Sequence, residues 1–79
     1  MRVRYENEII VCIGALVKNR DILFCTYNNE FYITNFPSNI DANEAFKLLF
    51  TQGHYVVSNF KHIDASEEKP FIDYMLRKD

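Results

Sequence analysis

Residues 9–36 read IIVCIGALVKNRDILFCTYNNEFYITNF, and this stretch decides the fold. It divides into three apolar runs, IIVCIGALVK (9–18), DILFCTY (21–27) and EFYITNF (30–36), separated by Asn19-Arg20 and Asn28-Asn29. Dense β-branched and aromatic residues favour strands over helix. Asn visits the left-handed region that tight hairpin turns need. The stretch therefore predicts a three-stranded antiparallel meander with 21–27 in the middle, apolar on both faces.

Two-residue loops at both turns set the register. Lys18 then faces Asp21, Ala15 faces Phe24 and Gly14 faces Cys25. Across the second turn Tyr27 faces Glu30, Cys25 faces Tyr32 and Phe24 faces Ile33. One face carries Ile9, Val11, Ile13, Ala15, Val17, Ile22, Phe24, Phe31 and Ile33. The other carries Ile10, Cys12, Leu16, Leu23, Cys25, Tyr27, Tyr32 and Phe36. A loop longer by one residue would turn one strand over and exchange its faces.

Upstream, residues 1–8 alternate, with Val3 and Tyr5 on one side and Arg2 and Arg4 on the other. This reads as an edge strand or the leading end of the first long strand. Glu6-Asn7 is a weak turn signal. Downstream, Pro37-Ser38-Asn39 breaks the meander. A helix is expected over 41–52, with Asp41 and Glu44 as a capping box, Ala42, Ala45, Phe46 and Leu49 facing the core, and Gly53 as its stop. Residues 54–63 read as a fourth strand, and 66–78 as a last helix entered near Pro70. The expected fold is a small two-layer α+β domain of order β-β-β-α-β-α. The crossover helix permits a parallel pairing of the fourth strand beside the first, with pairing beside the third as the alternative.

The chain has 79 residues, 48% of them hydrophobic and 15% aromatic, so it is a single domain too apolar for a disordered chain. The net charge is −2. Residues 1–20 hold four basic and two acidic side chains, and residues 21–79 five and nine. Neither imbalance suits a nucleic-acid or membrane surface. No apolar run reaches the ~18 residues of a membrane span. Charges stand where a signal peptide would be apolar. A cytoplasmic location is expected.

Chemistry-bearing motifs are few. With two glycines, Gly14 and Gly53, neither GxGxxG nor a P-loop can form. CxxC and HExxH are absent. No catalytic residue, metal ligand or cofactor is assigned. Cys12 and Cys25 fall diagonally on one expected face, ~7–8 Å apart, and read as buried thiols rather than a disulfide. His54 and His62 are ~26 Å apart along one extended strand and cannot share a metal. His62 and Asp64 make a His-X-Asp at a strand end, which usually is an exposed His near a loop acid. Its functional reading is a small metal- or ligand-binding enzyme.

The expected functional element is a surface. If both helices cover the same sheet face, the other exposes Leu16, Leu23, Tyr27, Tyr32 and Phe36 as a partner-binding patch. Self-association as a homodimer, or a protein partner, would cover it. This reading describes a non-catalytic interaction module, a small accessory or inhibitory factor of the kind phages and mobile elements encode. The competing class is single-stranded nucleic-acid binding through sheet aromatics. It is disfavoured because the basic residues are scattered.

Overall fold

The computed structural model describes residues 1–63. Over that span the elements are β1 (Arg2–Tyr5), β2 (Glu8–Val11), β3 (Gly14–Lys18), β4 (Asp21–Cys25), β5 (Phe31–Asn35), α1 (Asn39–Gln52), β6 (His54–Val56) and β7 (Lys61–Ile63). The helix expected over 66–78 lies outside the described residues. The class is α+β: the described residues form one helix and two mostly antiparallel sheets, ordered β2-β1-β6 and β3-β4-β5-β7.

The meander forms as β3-β4-β5. Its first turn closes at Asn19, whose φ of 56° is left-handed, and Lys18 pairs with Asp21 as expected. The second turn is one residue longer than expected. Thr26 donates its amide to the Glu30 carbonyl at 2.9 Å, and the Glu30 amide donates to Thr26 Oγ1 at 3.1 Å. The Thr26 hydroxyl also donates to Asn28 Oδ1, and Asn29 takes a φ of 63°. Asx- and Thr-side-chain hydrogen bonds of this kind stabilise a turn at the expense of further strand pairing. Phe24 consequently faces Tyr32 and Cys25 faces Phe31. β5 is turned over relative to the expected register, so Tyr32 shares a face with Phe24 while Phe31 and Ile33 share one with Leu23 and Cys25.

The N-terminal residues make their own hairpin. Glu6 adopts a φ of 54° and Tyr5 pairs with Glu8. β1 is no edge strand: β2 lies antiparallel on one side and β6 parallel on the other. The expected first strand, 9–18, is bent at Cys12-Ile13. Cys12 exchanges hydrogen bonds with Met1, its amide donating to the Met1 carbonyl at 2.8 Å and its carbonyl accepting from the terminal ammonium at 3.1 Å. The next amide, that of Ile13, donates to the Cys25 carbonyl at 2.8 Å.

The expected fourth strand also divides. Its first half, β6, lies beside β1; its second half, β7, lies beside β5. Asn59 marks the break. Its side chain accepts the Asn35 amide at 2.7 Å and donates to the Asn35 carbonyl at 3.0 Å. Its own carbonyl accepts the Thr34 hydroxyl at 2.6 Å. An asparagine side chain thus imitates a strand backbone where the chain changes sheets.

α1 starts two residues earlier than expected. Ser38, not Asp41, is the N-cap, and its hydroxyl accepts the Asp41 amide at 3.1 Å. Gly53 ends the helix at a φ of 78°, its amide donating to the Leu49 carbonyl at 2.9 Å. Ala42, Ala45 and Leu49 bury one stripe of the helix. They join Val3, Cys12, Ile22, Phe24 and Val57 in the main core, with Tyr32, Phe36, Phe46 and Phe60 packed around it. A second buried group, Leu23, Cys25, Phe31 and Ile63 with Ile33 against it, occupies the other face of the four-stranded sheet.

At Gly53 a Cβ would meet nothing within 4 Å, so only the left-handed backbone resists substitution. Gly53→Ala should cost about 1 kcal/mol, and Gly53→Asn less, because Asn tolerates this region. Urea denaturation of the two variants measures the difference.

Candidate functional site

The five residues expected to form one patch are distributed over three places. Leu16 and Leu23 lie on the sheet face turned away from α1, with Leu23 only 2% exposed. Tyr32 and Phe36 pack against the main core on the helix side. Tyr27 projects from the second turn and is 76% exposed. The longer turn explains the separation, because it moved Tyr32 through the sheet and brought Phe31 and Ile33 beside Leu23. On that face Leu23, Cys25, Phe31 and Ile63 are buried together, with Ile33 packed against them.

The cysteines are also separated. Both are free and buried, Cys12 in the main core and Cys25 in the second group, instead of sharing one face. Burial pushes the Cys12 thiol from 9.0 up to about 11, against a smaller opposing pull from the N-terminal ammonium. Burial raises Cys25 as well. Reactive thiols are partly exposed and electropositive in surroundings; these two are packing groups.

The aromatic surface open to a nucleic-acid reading is the rim around Tyr32. Its ring stacks on Phe60 at 4.6 Å and meets the edge of His62 at 5.1 Å. Tyr32 donates its hydroxyl to Glu30 Oε1 at 3.4 Å. Burial is the main cause that raises the Tyr32 pKa, and the Glu30 charge raises it further. A carboxylate beside the rings repels a phosphate backbone. His62 is exposed on β7 and His54 lies in the other sheet. Asp64 lies outside the described residues. Among the described residues no group of three or more His, Cys, Asp or Glu side chains could hold a metal ion.

A different surface has the properties of a site. On β1, Val3 is buried and Tyr5 half-buried, which turns Arg2 and Arg4 to the outer face of the three-stranded sheet. Register places Val11 and His54 on either side of Arg2, and Ile9 and Val56 on either side of Arg4. The result is two rows, Val11–Arg2–His54 and Ile9–Arg4–Val56. Ile9 is 60%, Val11 50% and Val56 63% exposed. Arg2, Arg4, Ile9, His54, Tyr55 and Val56 line a shallow cleft of about 300 Å³. Tyr55 lines it from the core side, its ring being packed against Phe36. Among the described residues no carboxylate forms an ion pair with either arginine.

None of these outer-face residues was expected to act. The signal lay in the weak Glu6-Asn7 turn. Once that turn is accepted, residues 9 and 11 pair with residues 4 and 2, and two aliphatic side chains join two arginines on one face. Comparison with protein-family models, with curated proteins and with solved structures found no match.

The two surfaces differ in a measurable way. Leu23→Ala should cost ~2–5 kcal/mol of stability, as buried Leu truncations do, whereas Val56→Ala should stay within ~0.5 kcal/mol. Thermal or urea unfolding compares them. The thiols supply a pH test. In the unfolded chain Cys12 ionises near 9.0, but in the folded protein only near about 11. Its contribution to stability is therefore fully present below pH 9.0 and is lost as pH rises towards about 11. Native-state alkylation should be slow at mildly alkaline pH, and become fast on addition of denaturant.

Proposed function

We propose that this protein is a non-catalytic interaction module that binds a protein partner through the outer face of β2-β1-β6. The observation that carries the reading is the grouping of exposed Ile9, Val11 and Val56 around two arginines on one sheet face. Antiparallel sheets commonly leave one face to water, and that face is then polar. Here three of the six residues in the two outward rows are exposed aliphatics, in the manner of interaction surfaces. Arginine beside apolar side chains is the composition of interface centres, where a guanidinium keeps its hydrogen bonds while its stem stays dry.

The lining of the cleft favours binding over catalysis. Neither a carboxylate nor a thiol stands among its six residues to work with His54 as an acid–base or nucleophilic pair. An accessory or inhibitory role fits a small chain with such a surface. Protein binding was also the expectation from composition, but the surface that supports it is a different one.

The test uses cross-linking pull-down from cells of the native source, with the full chain as bait. Val56→Glu and Ile9→Glu place charges on solvent-exposed positions and should leave the fold intact by circular dichroism. Proteins captured by the wild type should be lost with either variant, while Tyr27→Glu, at the remote turn, captures them as before. Equal capture by all four baits would remove this face from consideration.

A further inference from the structure

We infer that the partner segment is an acidic amphipathic helix lying along β1, with carboxylates four residues apart set between aliphatic side chains. This inference rests on the reading of the outer face as the binding surface and adds the chemistry of its occupant.

The dimensions of the sheet suit a helix. Adjacent strands are ~4.8 Å apart, so β2 and β6 are separated by ~10 Å across β1. A helix with its side chains is ~10–12 Å wide. One helix along β1 thus covers all three strands. α1 occupies the opposite side of the fold, packing on β6, β3 and β4.

The charges then fix the sequence pattern. Arg2 and Arg4 stand two residues apart on β1, a separation of ~6.6–6.8 Å along the strand. Helix positions i and i+4 are separated by ~6 Å along the axis and lie on one face. Two carboxylates at that spacing can each meet one guanidinium, in the bidentate geometry that arginine favours. Ile9 and Val11 on one flank, and Val56 on the other, call for aliphatic residues beside the acids.

Two other occupants fit less well. A second copy of this chain, docked by two-fold symmetry, would set Arg2 and Arg4 against the same two arginines, and like charges at an interface are repelled. A nucleic acid would find two guanidiniums and one imidazole among aliphatic side chains, with no Phe, Tyr or Trp in either outward row for a base to stack on, in a chain of net charge −2.

The experiment is a selection from a displayed library of helical peptides against the immobilised full chain. The best binders are synthesised and their affinities measured by fluorescence anisotropy. Three proteins are compared: the wild type, the double variant Arg2→Glu/Arg4→Glu, and Val56→Glu. Amide spectra verify that each is folded, and Arg2→Gln/Arg4→Gln replaces the charge reversal if that double variant unfolds. The expected binders carry Asp or Glu four residues apart beside aliphatic residues. The arginine variant and Val56→Glu should each weaken them by about tenfold or more. If Val56→Glu abolishes binding while the arginine variant binds normally, the acidic character is wrong and the surface stands. Binders that are neutral or basic lead to the same conclusion. If neither variant changes affinity, or if nothing is enriched, the surface reading itself fails. Single-stranded oligothymidine that displaces the peptide at physiological salt would make nucleic acid the occupant and overturn the inference. So would a dimer in light scattering that Val56→Glu dissociates.

Discussion

Two consecutive backbone amides hold this fold together. Cys12 is bonded to Met1 in both directions, and Ile13 is bonded to Cys25. Neighbouring amides of an extended chain point to opposite edges, so one bent segment serves as a strand of two sheets. The bend carries Cys12 into the main core, where it is 1% exposed. Everything N-terminal to it is fixed in position by this junction. β1 is held as the centre of the first sheet, and β6 can join β1 only because β1 presents a free edge. The same junction decides which residues of β2 face outward. A shift of one residue at Cys12 would exchange Ile9 and Val11 for Ile10 beside the arginines.

The meander was legible because its signals are local. Apolar alternation, two Asn-containing turns and β-branched density each point to strands at β3, β4 and β5, and the Lys18–Asp21 register follows from the shortest loop. The helix was legible for the same reason, since Ala42, Ala45 and Leu49 repeat at helical spacing and Gly53 can adopt the left-handed stop. What escaped was decided by side chains bonding to backbone. Thr26 and Asn28 favoured a longer turn over the shortest one, and that single residue turned β5 over. Asn59 divided an apolar run that reads as one strand, through bonds to a residue 24 positions away. No periodicity in the sequence contains that information.

The separation of the five residues expected on one face follows from the same turn. With β5 in the expected register, Tyr32 would stand beside Leu23, and the two would suggest an open aromatic face. With β5 as it is, Tyr32 belongs to the rings around Phe60 and the main core, and Leu23 is packed among Cys25, Phe31 and Ile63. The aromatic residues that made nucleic-acid binding worth weighing are thereby divided between a core, a turn tip and a rim that carries Glu30.

Parity separates inward from outward positions in the first sheet. There the inward positions Val3, Ile10, Tyr55 and Tyr5 pack into the main core that α1 joins. Ile9, Val11 and Val56 stand outside that core, and aliphatic side chains there leave apolar area in water at ~25 cal/mol per Å². Polar residues would serve solubility and edge protection better at those positions, as Arg2 and Arg4 do on the central strand. Three exposed aliphatic residues surround two arginines that no described carboxylate pairs. The docking partner we propose would account for both features at once. In that proposal the hydrophobic residues would supply contact area, and the arginines would select which partner could use it.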